Sequence, residues 1–218
     1  MSNNLGFSTE PETAVSGNNI YIVWRDNTLG NEGIFFKRSV NNGVSFASPM
    51  YLSYNSSKDI NSVHPQIAAN GNDVYIVWSN GNFDKGHSDV LFKRSINNGA
   101  TFGRTTNISK YPTTLSTLQR ISASGSKVYI VWADGPINKR QIFFKRTMDG
   151  GATFDNTTTI TNATTGDSFN PQIAASSNKV YLLWRYDLDN ISKQLFFKRS
   201  TDSGSSFGNT TTINQGFF

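Results

Sequence analysis

The stretch Val74-Tyr75-Ile76-Val77-Trp78, followed by Leu91-Phe92-Lys93-Arg94-Ser95 and then by Ile96-Asn97-Asn98-Gly99-Ala100-Thr101-Phe102, decides how the chain is read. The first run is β-branched and aromatic throughout, as expected of a strand packed on both faces. The second is a strand that ends in a Lys-Arg pair, and the third has the Asn and Gly of a tight hairpin turn. The same series recurs at Ile20–Trp24, Val128–Trp132 and Val180–Trp184. Trp24, Trp78, Trp132 and Trp184 are the only tryptophans, spaced 54, 54 and 52 residues apart.

Working outward, each repeat holds four strand candidates. Strand A is Pro11–Val15, Pro65–Ala69, Gln119–Ala123 and Pro171–Ala175, with proline tolerated at a first strand position. Strand B is the tryptophan strand, strand C carries the Lys-Arg pair, and strand D follows the glycine turn, as in Phe154–Thr161. A period near fifty with several short strands per unit is the signature of a β-propeller. The expectation is an all-β chain forming one propeller domain over residues 1–218, with blades at about 5–54, 55–109, 110–162 and 163–218. The B–C loops (25–33, 79–89, 133–141, 185–194) and the D–A loops are long and differ between repeats, whereas the A–B and C–D turns are regular. A rigid scaffold with diverse loops at one end suits a binding surface there.

Composition narrows the classes. With 36% hydrophobic and 16% charged residues the chain is neither disordered nor a coiled coil. No apolar run reaches the ~18 residues of a membrane helix, and no signal peptide is visible. Cysteine is absent, which removes disulfides and thiolate metal sites. Six N-x-S/T sequons, at Asn55, Asn107, Asn156, Asn162, Asn190 and Asn209, lean towards an extracellular or cell-surface protein. The net charge of +5 suggests nucleic acid at first sight. Eight of the basic residues, however, are the pairs Lys37-Arg38, Lys93-Arg94, Lys145-Arg146 and Lys198-Arg199, one per repeat. Charge distributed once per blade is not the contiguous stripe that nucleic acid needs, and a structural role beside the turns is expected. His64 and His87, read as loop residues of the second repeat, lack a fixed ligand set, so neither a metal nor any other cofactor is expected.

The C–D turns are Ser39-x-Asn41-x-Gly43-x-x-Phe46, Ser95-x-Asn97-x-Gly99-x-x-Phe102, Thr147-x-Asp149-x-Gly151-x-x-Phe154 and Ser200-x-Asp202-x-Gly204-x-x-Phe207. In each, Asn or Asp caps backbone N–H groups, Gly supplies positive φ, and Phe anchors the turn. These segments resemble the Asp-box of sialidase-like (BNR-repeat) β-propellers, in phase across all four repeats and between the third and fourth strands, where that family carries it. Two of the four have Asn in place of Asp. The resemblance implies four sialidase-like blades. It also implies that the box is a folding element at the end away from that family's active site.

The family's enzymes, as the resemblance implies, use an arginine triad for the substrate carboxylate, an Asp acid/base and a Tyr nucleophile paired with Glu. The nearest match to their R-I-P segment is Arg120-Ile121-Ser122, without the proline. Arg120 aligns with Glu12, Gln66 and Gln172 at the inner-strand position of the other blades. Arg25 and Arg185 follow their tryptophans and open B–C loops, where pairing with Asp26 and Asp187 is the plain reading. Only three glutamates exist, Glu10, Glu12 and Glu32, all in the first repeat. No catalytic residue is assigned. Glu12, Gln66, Arg120, Gln172, Arg25 and Arg185 are the candidate binding residues, with Glu12 facing Arg120, and Gln66 facing Gln172, if four blades close a ring. The expected function is non-catalytic binding of a glycan or a protein at the loop end. A sialidase-like glycoside hydrolase is the alternative, and a purely structural surface repeat is a third reading. Three arrangements are open: a monomeric four-bladed ring with a seam sealed by Leu5–Phe7 and Gly216-Phe217-Phe218, a homodimer sharing one eight-bladed ring, or a fragment of a longer propeller.

Overall fold

The computed structural model describes residues 6–53, 59–110, 114–161, 166–188 and 193–214. The tail and Leu5 contacts expected at a seam, and the sequons at Asn55, Asn162 and Asn190, lie outside them. The described residues are all-β and form four antiparallel four-stranded sheets, each in simple sequential order. Blade 1 is β1 (Ser8–Ser16), β2 (Asn19–Asp26), β3 (Gly33–Ser39) and β4 (Met50–Tyr51). Blade 2 is β5 (Asn61–Asn70), β6 (Asp73–Asn82), β7 (His87–Ser95) and β8 (Thr106–Asn107). Blade 3 is β9 (Thr117–Ser124), β10 (Lys127–Asp134), β11 (Gln141–Thr147) and β12 (Thr158–Thr159). Blade 4 is β13 (Asp167–Ser176), β14 (Lys179–Asp187), β15 (Lys193–Ser200) and β16 (Thr211–Thr212). The chain divides between 113 and 114 into two compact units, each holding two blades.

In the first unit the core lies between the blades. Tyr21, Val23, Ile34, Phe36 and Leu52 of blade 1 meet Val74, Ile76 and Trp78 of blade 2. In the second unit Tyr129, Val131, Ile142, Phe144 and Ile160 of blade 3 meet Val180, Leu182 and Trp184 of blade 4 in the same way. Alternate residues of each tryptophan strand therefore point to opposite faces, and both faces are apolar because both are meant to be covered. Burying a side chain of this size stabilises by about 1.5–3 kcal/mol. The expectation of burial on both faces holds for β6 and β10. It fails for β2 and β14, each of which leaves one face half-exposed.

The C–D turns form as their residues dictate. In blade 3 the Thr147 hydroxyl donates to Asp149 at 2.6 Å, Gly151 N–H donates to the Thr147 oxygen, and Thr153 N–H and O–H both donate to the Asp149 carboxylate. Blade 4 repeats this with Ser200, Asp202, Gly204 and Ser206. Asn41 and Asn97 accept from the same N–H position through Oδ1, and their Nδ2 donates to Ser45 and Thr101. The hydrogen bonds from their neighbouring hydroxyls hold the Asp149 and Asp202 carboxyls well below the ordinary carboxylate range. A folded-state pKa below the unfolded value gives stability that is present at neutral pH and fades as pH falls below about 4. The double variant Asp149→Asn/Asp202→Asn, which copies the turns of blades 1 and 2, is expected to fold at pH 7. It is also expected to lose less stability between pH 4 and pH 2 than the parent, as read by urea unfolding at each pH. An unchanged acid limb would contradict this.

The turn phenylalanines do anchor, but onto the preceding blade. Phe102 meets Phe36 edge-on at 4.9 Å, and Phe207 meets Phe144 at 5.0 Å. Phe46, in blade 1, is 38% exposed. The Lys-Arg pairs are structural, with targets that the sequence did not reveal. Arginine reaches forward to a turn carbonyl, Arg38 to Asn98 and Arg146 to Ser203. Lysine reaches back to a strand-D end, Lys93 to Leu52 O at 2.9 Å and Lys198 to Ile160 O at 3.0 Å. Burial pushes the Lys93 pKa down.

Three boundaries differ from the sequence reading. Strand D is only two residues long in every blade, so the threonine-rich 154–161 segment is mostly extended loop. Strand B continues past its tryptophan, which shortens the B–C loops, and His64 and His87 sit on β5 and β7 rather than in loops. Strand A starts before its proline and bulges around it, with register shifts at Thr9/Glu12, Val63/Gln66 and Phe169/Gln172. The bulge residues Glu10, His64, Leu118 and Asn170 have φ between +51° and +57°. Proline is accommodated because a bulge leaves one residue out of the ladder, not because it starts the strand.

Candidate functional site

The bulges decide which side chains appear at the loop end of each blade. A left-handed residue that is not glycine costs about 1–3 kcal/mol, and here it recurs in all four strand-A positions. Each bulge resets the pleat, so that Glu12, Gln66, Arg120 and Gln172 follow the irregularity in identical register. In the first unit Gln66 Nε2 donates to Glu12 Oε1 at 2.7 Å and to its own Pro65 carbonyl. Blade 2 thus passes its amide sideways to blade 1. In the second unit Arg120 donates to the Gln119 carbonyl, and Gln172 is exposed.

Around these residues, the first unit gathers Glu10, Arg25, Glu32 and His64. Arg25 lies 3.7 Å from Glu10 and 3.4 Å from Glu32, and its Nε donates to Thr9. Glu10 also accepts the His64 backbone N–H at 2.7 Å and lies 3.4 Å from the His64 ring. The bulge of one blade therefore caps the bulge of the next. Arg25 does not pair with Asp26 as expected. Asp26 instead accepts from Ser8 at 2.5 Å and from the Thr28 N–H.

The second unit places two arginines on one aromatic ring. Arg140 and Arg185 stand 4.8 and 4.2 Å from the centre of Phe169. Arg140 makes a forked contact with Asp167, which also accepts the Arg140 backbone N–H at 2.8 Å. Arg185 makes a second fork with Asp187, as the sequence suggested, and holds that carboxyl below its ordinary range. Each guanidinium is thus within cation–π distance of the ring and neutralised by its own carboxylate. Arg140 and Phe169 were missed in the sequence because neither recurs between blades: the aligned positions hold Glu32 and Val63.

A fourth-strand-independent lock at this end was also missed. The Ser8–Asp26 pair is matched by Ser62 to Asn80 at 2.8 Å and by Ser116 to Asp134 at 2.5 Å. Each pair ties the start of strand A to the end of strand B. The signal was an in-phase Ser and Asp/Asn about eighteen residues apart, too distant to read as a local motif.

The chemistry available follows from these pairings. The three glutamate side chains contact Arg25, His64 and Gln66, and none meets a tyrosine among the described residues. Of the strand-B tyrosines, Tyr21 and Tyr75 point to the other end, Tyr21 donating to Asn98 and Tyr75 to Asp73, whereas Tyr186 of β14 stacks on Phe196 at 5.1 Å. Burial, first, and then Asp73 push the Tyr75 phenol upward, away from an ionised nucleophile. Among the described residues no group of three or more His, Asp or Glu is arranged to hold a metal ion.

Among solved structures, a protein of unknown function from Dyadobacter fermentans superposes with a TM-score of 0.70 at 12% identity. It is matched over 97% of this chain and 70% of its own. A sialidase from Streptococcus pneumoniae gives a TM-score of 0.63 at 9% identity, over 98% of this chain and 53% of its own. The fold is sialidase-like. A GH43 endo-arabinanase from Bacillus licheniformis also superposes, at 0.52 and 13% identity, over 99% of this chain and 83% of its own. No protein-family profile matches the chain, and no curated protein does. The sialidase-like blades therefore come with neighbours of different substrates, and the site must be argued from its own residues.

Proposed function

We propose that the chain is a non-catalytic propeller module, its four blades acting as one domain, which binds a neutral glycan or a protein surface at the loop end. The observation that carries this reading is the mutual neutralisation of charge there. Arg25 faces Glu10 and Glu32, Arg140 faces Asp167, and Arg185 faces Asp187. An arginine already forked to a carboxylate is a poor receptor for a substrate carboxylate, because the incoming acid must displace the resident one. What is left for a ligand is, in the first unit, the Gln66 amide oxygen and the second Glu12 carboxylate oxygen and, in the second unit, the exposed Gln172 amide, groups that suit the hydroxyls of a neutral ligand. Glu10, Glu12 and Glu32 against Arg25 leave the first-unit end acidic, which further disfavours acidic sugars. An exported or surface protein agrees with this use.

The test is a glycan array with the intact chain. Signal on neutral glycans, and little on sialylated ones, is expected. Gln66→Ala in the first unit and Gln172→Ala in the second, each made alone, should lower that signal several-fold if the site of its unit binds, while leaving the far-ultraviolet circular dichroism unchanged. Signal confined to sialylated glycans would overturn the reading.

A further inference from the structure

The two half-exposed blade faces are complementary halves of an interface that the chain already builds twice. Inside each unit, one blade contributes its Tyr, Val and Phe side and the next contributes its Val, Ile or Leu, and Trp side. Blade 4 presents the first side uncovered. Tyr181 is 37%, Leu195 38% and Ile213 53% exposed, where the equivalent Tyr129, Ile142 and Ile160 of blade 3 are buried. Blade 1 presents the second side uncovered. Ile20, Ile22 and Trp24 are half-buried, where the equivalent Val180, Leu182 and Trp184 of blade 4 are buried, and Val15 is 62% exposed.

The polar fittings of the interface are left over at the same two places. Each internal contact uses a lysine reaching back to a strand-D carbonyl and an arginine reaching forward to a turn carbonyl. Among the described residues, neither Lys37 of blade 1 nor Arg199 of blade 4 has a hydrogen-bond partner for its side chain. An aromatic seat is open as well. At Gly99 and Gly204 an added Cβ would fall 2.7 and 2.6 Å from the ring of Phe36 or Phe144 of the preceding blade. At Gly43 it would meet only Ile20 of its own blade, at 3.2 Å. The ring that fits this seat by position is Phe197.

We propose that copies of this chain join head to tail, with the blade 4 face of one seated on the blade 1 face of another. Phe197 then occupies the Gly43 seat and packs on Phe46. In that contact Lys37 of the copy giving blade 1 reaches the Ile213 carbonyl of the copy giving blade 4, and Arg199 of the latter reaches the Asn42 carbonyl of the former. A second copy is the natural occupant because it supplies the missing half for both faces at once, with the side chains and hydrogen bonds that the internal contacts already use. Two such contacts satisfy a closed dimer with twofold symmetry, and an unclosed series would give larger species through the same contact.

Light scattering on the intact chain at micromolar concentration tests this. The expected mass is twice the 24.1 kDa of one chain. Ile22→Glu on one face, or Tyr181→Glu on the other, should each give 24.1 kDa alone. Mixing the two variants should restore a mixed dimer, because one contact then has two intact sides. Both substitutions fall on half-buried or exposed positions, and an unchanged thermal midpoint at low concentration checks that each variant folds. The milder Lys37→Ala should raise the dissociation constant several-fold without loss of fold. Species larger than a dimer that the same variants disperse would support the contact. A parent chain at 24.1 kDa at every concentration would overturn it. So would a mixture that stays monomeric, since that indicates a contact of like with like.

Discussion

Replacing Trp184 by alanine lowers the unfolding free energy by about 3–5 kcal/mol. The indole is 2% exposed and closes the cluster formed by Tyr129, Val131 and Phe144 on one side and Val180 and Leu182 on the other. Removing it leaves a cavity that short, paired strands cannot collapse to fill. The repeat supplies its own control. Trp24 holds the same place in blade 1 but is only half-buried, stacked on Phe35 at 5.8 Å. On chain dissociated to single copies, Trp24→Ala should cost less than half as much. Chemical unfolding of both variants measures the difference. Equal costs would mean that the blade 1 face is covered in a way the exposure of Ile20, Ile22 and Trp24 does not show.

The second large effect is Gly204→Ala, at about 2–5 kcal/mol, the sum of left-handed strain and overpacking. Gly204 has φ +77°, and a Cβ there would lie 2.6 Å from Cζ and 3.0 Å from Cε1 of Phe144. That ring is pinned between Tyr129 and Phe207 and cannot retreat without opening the core. Gly125 has a similar φ of +61° with nothing within 4 Å, so Gly125→Ala should cost only about 1 kcal/mol. Thermal unfolding of the pair separates the two contributions. If they shift the midpoint alike, backbone strain alone governs the turn glycine and the aromatic seat counts for nothing.

The fold was legible because its strongest signals are local and repeated. Val74–Trp78 and its copies announce strand B by β-branching, and the Gly of each C–D turn announces positive φ. Strand A was half-legible. Glu10, His64, Leu118 and Asn170 share one backbone conformation but no chemistry, so a bulge made of four different residues leaves no pattern to read. The difference between end and middle blades was not legible at all. Tyr181 and Tyr129 stand in the same local sequence, yet one is 37% exposed and the other fully buried against blade 4, because neighbours rather than the strand itself decide burial. At the loop end, Arg185 with Asp187 could be read from a two-residue spacing. Arg25 with Glu10 and Glu32, and Arg140 with Asp167, join elements fifteen, seven and twenty-seven residues apart and emerge only once the blades are built.

The claim that matters most is that this loop end recognises a ligand without cleaving it. Hydrolysis of a fluorogenic sialoside by the intact chain, followed from pH 4 to pH 8, tests it most directly. The account predicts release no faster than in buffer across that range, with no change in Arg25→Ala or Arg185→Ala. Enzyme-dependent release that either substitution abolishes would contradict it, and would mean that the ion pairs of Arg25 and Arg185 open to admit a substrate carboxylate.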